Sequence, residues 1–139
     1  PIIQGKWNRD HKSRIWTSRV DFTKKLVFQM QKLKKRPSVF LSGSAIGYYG
    51  MYDGSEPVCT ESSSMGKDYL ANLCSEWEKE ALVAEELGIR TILARIGIVL
   101  SQDGGALAQM LPAFRAFVGG PLGSGKQFMS WIHIQDILN

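Results

Sequence analysis

Between Asn8 and Arg36 apolar residues fall at Ile15, Trp16, Val20, Leu26, Val27, Met30 and Leu33, mostly three, four or seven apart. This period predicts an amphipathic helix, stopped by Pro37. The cluster Lys32, Lys34, Lys35 and Arg36 then falls in its last turn, where the helix dipole favours cations. Ser38 to Ser42 is a short β-branched and aromatic run bounded by Pro37 and Gly43, the pattern of a buried parallel strand. A Gly- and Tyr-rich loop follows from Gly43 to Ser55. Gly66-Lys67-Asp68 opens a second helix whose apolar face is Leu70, Leu73, Trp77, Ala81, Ala84 and Leu87, with Gly88 as its C-terminal cap. Ile89 to Leu100 is nearly continuous aliphatic strand, and after the Asp103-Gly104-Gly105 turn helical spacing returns over Ala106 to Val118. A weaker strand is expected around Phe128 to Ile134, and Ile137 and Leu138 read as the opening of a further helix.

Strands alternating with helices, apolar enough to be covered on both faces, predict an α/β domain with a parallel sheet. Two clear strands and a weak third are thin for a complete sheet, so the 139 residues are expected to be part of a longer protein. With 44% hydrophobic and 22% charged residues the chain is globular rather than disordered. No apolar run approaches the roughly 20 residues of a membrane span. Cys59, Cys74, His11 and His133 have neither metal-site nor disulfide spacing, so no metal is expected and a reducing, cytoplasmic setting fits. Residues 1–36 hold eleven Lys/Arg against two Asp, a net +9 within an overall +4. That segment could bind nucleic acid, but no aromatics are interleaved as in a stacking platform, and no nucleic-acid partner is expected.

Gly120 to Lys126 fits the G-x-x-x-x-G-K spacing of a phosphate loop. Its context is wrong, because a helix precedes it and Gln127 stands where Ser or Thr would hold magnesium. A Gly-rich turn between helix and strand explains it better. The dinucleotide fingerprint G-x-G-x-x-G is absent. The chemistry centres instead on Leu41 to Gly50, which leaves the carboxyl end of a strand, where ligands of open parallel sheets bind. Ser44 points into that crevice in this reading, and Tyr69 begins the next helix beside it. The plainer alternative is a turn-capping serine and a rim tyrosine.

Ser42 to Gly50, Trp77-Glu78, Arg95 to Leu100, Gly104 to Leu107, Met110 to Pro112, Gly119 to Gly125 and Trp131 to Asp136 together resemble the atypical extended short-chain dehydrogenase/reductases, in their nucleotide-sugar epimerase-like branch. The resemblance spans nearly the whole chain and corresponds to a middle portion of such a protein. It implies a partial Rossmann-like parallel sheet with flanking helices, lacking the N-terminal βαβ unit and the C-terminal lobe. The chain would form one partial NAD(P)-binding domain over 1–139, with substrate-lobe elements starting at about 105–139. Ser44 and Tyr69 take the catalytic positions. Ser42, Gly43 and the backbone of Gly97, Ile98 and Val99 line NADP or NAD, and Lys126 and His133 face a small-molecule substrate. The implied reaction is hydride transfer at a carbinol carbon, and a homodimer is compatible with the resemblance.

Two positions depart from the family pattern. Leu73 stands where a lysine four residues after the tyrosine would lower its pKa, a gap of about three units, or roughly 4 kcal/mol, for a free tyrosine at neutral pH. Met129 stands where sugar-nucleotide epimerases carry an arginine for the phosphates, four residues before His133, and Lys126 is the substitute charge nearby. His133 could equally be a hydrogen-bonded structural histidine. Trp77 and Glu78 are expected to serve packing and helix anchoring. The alternative function is a protein that binds NAD(P) without turnover.

Overall fold

The computed structural model describes residues 6–51, 58–121 and 123–139, which fall into two compact units. The first comprises 6–51 and 59–95. It opens with α1 (Arg9–Trp16), whose first turn is capped by the Asn8 side chain accepting from His11 N at 2.8 Å. A π-helical turn (Thr17–Asp21) leads directly into α2 (Phe22–Gln31). Ile15 and Val20 are both buried although five residues apart, one more than an α-helical repeat allows. The wider turn brings them to one face, and Ser18 Oγ donates to the Ile15 carbonyl at 2.9 Å.

α2 ends at Gln31, five residues before the expected Arg36, so Lys34, Lys35 and Arg36 lie beyond the helix rather than in its last turn. Proline disfavours helical geometry at the residue before it, and a run of like charges gains nothing from further turns. Arg36 donates instead to the carbonyls of Leu87, at 3.2 Å, and Gln31, at 3.3 Å, and so caps two helical ends.

β1 (Val39–Ala45) runs three residues past the expected strand and enters a 3₁₀ turn (Ile46–Tyr49). The rest of the expected loop falls partly on residues 52–57, outside the described residues. α3 (Tyr69–Leu82) starts at its Asp68 cap and continues as a 3₁₀ segment (Val83–Leu87) ended by Gly88 at φ 75°, the left-handed cap expected. β2 (Arg90–Ile96) then pairs with β1, so that α3 is the crossover of a βαβ unit. Two buried clusters pack these elements together: Ile15, Val20 and Leu73 with Trp16, Tyr69, Leu70 and Trp77 join α1 and the π turn to α3, and Val27, Ala84 and Ile89 with Met30, Phe40 and Leu87 join α2 and the 3₁₀ segment to β1.

The single strand expected over Ile89–Leu100 divides at Gly97. In the second unit, 58 and 96–139, β3 (Ile98–Leu100) pairs in parallel with β4 (Trp131–His133), Val99 opposite Ile132. A Cβ on Gly97 would come within 2.7 Å of the Ser130 carbonyl, to which Ile98 N donates, so the strands close only around a glycine. α4 (Gly105–Arg115) and the short α5 (Ile134–Leu138) complete the unit. The Gly-rich stretch lies between α4 and β4, with Gly123 and Gly125 at positive φ, as a turn requires.

Candidate functional site

At the carboxyl ends of β1 and β2 four side chains form one connected network. Ser44, 4% exposed on β1, donates from Oγ to Glu78 Oε1 at 2.6 Å. Glu78, on the buried face of α3, is 5% exposed. Its carboxylate is held by the fork of Arg95, with Nε to Oε1 and Nη2 to Oε2 both at 2.8 Å. That two-pronged geometry offsets the cost of enclosing both charges. Arg95 Nη1 also donates to Tyr49 Oη at 3.1 Å and to the Glu61 carbonyl at 3.2 Å. Its guanidinium lies 3.5 Å from the centre of the Tyr48 ring, and the carboxylate and the Tyr49 oxygen hold it firmly in its charged form.

The turn carrying Tyr48 and Tyr49 is fixed by close backbone approach. Gly66 N donates to the Tyr48 carbonyl at 2.9 Å, and a Cβ on Gly66 would come within 2.5 Å of Gly50 Cα. Asp68 closes the other side, accepting from Met51 N at 3.1 Å and Ala71 N at 2.9 Å. The start of α3 therefore carries a negative side chain already engaged by two amides. Beside the network, the Cys74 thiol is pushed up to about 11, by burial first and then by the Glu78 charge. It is a neutral core group at physiological pH.

Tyr69 has different surroundings from Ser44. Its hydroxyl donates to the Lys12 carbonyl of α1 at 2.9 Å, and its ring meets Trp7 edge-on with Lys12 Nζ 5.0 Å from its centre. Burial raises its pKa, with partial relief from Arg19. Leu73, one turn on, is 1% exposed against Ile15 and Val20. The Tyr69/Leu73 face thus packs on α1 and the π turn, and no hydrogen bond joins Tyr69 to Ser44.

The other expected site residues divide between the two units. Ser42 is buried on β1, with its hydroxyl directed at the neighbouring Gly43 carbonyl at 3.3 Å. A Cβ on Gly43 would meet the Trp77 ring in ordinary contact at 3.6 Å. Trp77 Nε1 itself donates to Thr23 Oγ1 at 2.9 Å, an anchor between α3 and α2. In the second unit Gly97, Ile98 and Val99 build the β3–β4 pairing. Lys126 and Met129 are exposed, and His133 Nδ1 accepts from Gln135 N at 3.3 Å to cap α5.

Glu78, Arg95 and Tyr49 carry the polar network, whereas the sequence suggested helix anchoring for Glu78 and, for Arg95 and Tyr49, only the resemblance. Two signals were nonetheless present. Glu78 shares a helical face with Ala71, Cys74 and Ala81, and Arg95 interrupts the aliphatic run from Ile92 to Ile96. A charge in each of two apolar faces asks for a partner.

No family model matches the chain. Relatives do, along nearly its whole length. The chain is 47% identical to an epimerase family protein of Arabidopsis thaliana, the chloroplastic SDR39U1 homolog, over 99% of this chain and 39% of that one. It is 37% identical to the epimerase family protein YfhF of Bacillus subtilis, over 96% and 44%. The chain is thus similar, along nearly its whole length, to epimerase family proteins. Among solved structures, human epimerase family protein SDR39U1 (isoform 2) with NADPH superposes with a TM-score of 0.79 at 33% identity, over 96% of this chain and 44% of that one. The nucleoside-diphosphate sugar epimerase of Corynebacterium glutamicum superposes with a TM-score of 0.77 at 38% identity, over 97% and 28%. The fold is accordingly a partial Rossmann-like α/β fold, and the chain spans less than half the length of these relatives. Among the described residues no helix is long and apolar enough to cross a membrane.

Proposed function

We propose that this chain supplies part of a nicotinamide-cofactor site, NADP(H) or NAD(H), in an epimerase-like protein acting by hydride transfer at a carbinol carbon of a small substrate. The observation that carries this reading is the match, over nearly the whole chain, to a human relative solved with NADPH. The residues present fit one half of such a cofactor. Asp68 places negative charge, already bonded to two amides, at the start of α3, which is unsuited to a pyrophosphate. The carboxyl ends of β1 and β2 instead offer hydroxyls and a guanidinium, donors for the oxygens of the nicotinamide and its ribose. Ser42 and Gly43, in the middle of β1, are the positions that the resemblance assigns to cofactor contact.

The cofactor would supply the hydride. The chain's own contribution is to hold donors in place and keep water from the buried Glu78. Ser44 and Tyr69 can act as the resemblance implies only if they release their present acceptors, Glu78 and the Lys12 carbonyl. Leu73 in the core, together with the raised Tyr69 pKa, favours a second reading, NADP(H) binding without turnover. Fluorescence titration of the full-length protein with NADPH tests the shared part, and saturable binding is expected. NADPH oxidation with a panel of aldehydes and ketones separates the two readings. No saturable binding of either nicotinamide cofactor would remove both.

A further inference from the structure

Four hydroxyls gather at the carboxyl end of the β1–β2 pair and the start of α3, and their hydrogen bonds separate them. Ser44 is enclosed and gives its hydrogen to Glu78 at 2.6 Å. Tyr69 gives its own to the Lys12 carbonyl at 2.9 Å, on the α1 side of α3. Tyr48 offers Arg95 its ring face at 3.5 Å, and among the described residues nothing holds its hydroxyl. Tyr49 differs from all three. Its oxygen accepts from Arg95 Nη1 at 3.1 Å, and its hydrogen finds no acceptor among the described residues. A phenol that accepts from a cation is fixed in position and keeps one hydrogen to donate.

Arg95 can fix it because Arg95 is itself fixed. Two bonds of 2.8 Å to Glu78 and one of 3.2 Å to the Glu61 carbonyl clamp the guanidinium plane. Gly66 locks the turn bearing Tyr49 from behind. The hydroxyl is therefore ordered before any ligand arrives, and it stands where open α/β sheets bind theirs.

We propose that Tyr49 is the ligand-facing hydroxyl of this site, donating a hydrogen bond to an oxygen of the bound nicotinamide cofactor, and that Arg95, clamped by Glu78, is its positioning residue. This rests on the cofactor reading above and goes beyond it by adding Tyr49 to the cofactor-facing residues that the resemblance implies. NADPH affinity of the full-length protein, read by cofactor fluorescence with melting curves as a control for folding, tests it in Tyr49→Phe, Tyr48→Phe, Tyr69→Phe, Arg95→Lys and the double variant Arg95→Lys/Tyr49→Phe. Tyr49→Phe should weaken NADPH roughly five- to tenfold, the value of one hydrogen bond, and more than Tyr69→Phe does, with Tyr48→Phe within about twofold of wild type. Arg95→Lys keeps the charge but loses the fork, so it should weaken NADPH as well. The double variant should then be no weaker than Arg95→Lys alone, a coupling that a purely structural arginine would not show. Should Arg95→Lys fail to fold, the three Tyr→Phe variants decide alone. Wild-type binding unaffected by Tyr49→Phe, or lost in Tyr69→Phe, would overturn the Tyr49 assignment and leave the cofactor reading standing. Absence of NADPH binding in wild type would remove the cofactor reading itself.

Discussion

A carboxylate 5% exposed is costly unless nearly every lone pair is used, and Glu78 uses its own on Ser44 and on both prongs of Arg95. Removing one partner leaves the other charge enclosed without compensation, so the loss is larger than the net worth of the pair. Glu78→Gln should cost roughly 3–5 kcal/mol in urea denaturation, and Arg95→Met a similar amount. The double variant Glu78→Gln/Arg95→Met should lose clearly less than the sum, because neither charge is then stranded. Strict additivity would mean that water reaches the pair and that Tyr49 is not held as described. Ser44 belongs to the same account. Its short bond to Glu78 ties the serine singled out from the sequence to a glutamate and an arginine that composition and spacing alone had left as helix anchor and strand residue.

At the scale of elements, Leu73 marks where spacing and environment part company. It stands four residues after Tyr69, as a lysine would in the family pattern, but α3 turns this face onto α1 and the π turn. There Leu73 is 1% exposed beside Ile15 and Val20. Leu73→Ala should therefore cost about 2–5 kcal/mol by urea denaturation with an unchanged m value. Leu73→Lys should cost more, since an ammonium would meet Ile15 and Val20 rather than an acceptor. Equal stability of the two variants would show that the position opens to water. The same packing explains what could be read in the sequence. The α3 face and its Gly88 cap were legible because they follow a regular 3.6-residue period and a local backbone rule. The five-residue step from Ile15 to Val20 was not, because only contact with α3 repays a π turn. The break at Gly97 was hidden too. A continuous aliphatic run says nothing of which strand each half pairs with, and the clash with Ser130 that demands glycine is a long-range contact. In the site, Ser44 was legible from its place at a strand end, whereas the partners of Glu78 and Arg95 depend on the β1–α3–β2 crossover.

Across the whole molecule, burial is distributed unevenly. The first unit has two enclosed clusters, whereas among the described residues of 96–139 none is buried, and Phe117 and Phe128 are 96% and 92% exposed. The β1–β2 layer is also one-sided. Ser42 and Ser44 are buried while Val39 and Leu41, on the alternate face, are 44% and 65% exposed. Parallel sheets are ordinarily covered on both faces, and two-stranded sheets have little stability of their own. The 139-residue chain studied by itself should therefore bury this face against other copies, giving concentration-dependent sedimentation. Leu41→Glu tests which surface is responsible. Its side chain is exposed, so the substitution should change stability by no more than about 0.5 kcal/mol while putting a charge in the middle of the bare face. Sedimentation should shift toward the monomer in Leu41→Glu and stay unchanged in Lys24→Glu, a substitution on the exposed surface of α2. A wild-type chain that sediments as a monomer at all concentrations would show that the exposed apolar face is not sticky. Unchanged association in Leu41→Glu would move the contact elsewhere, first to the apolar residues of 96–139.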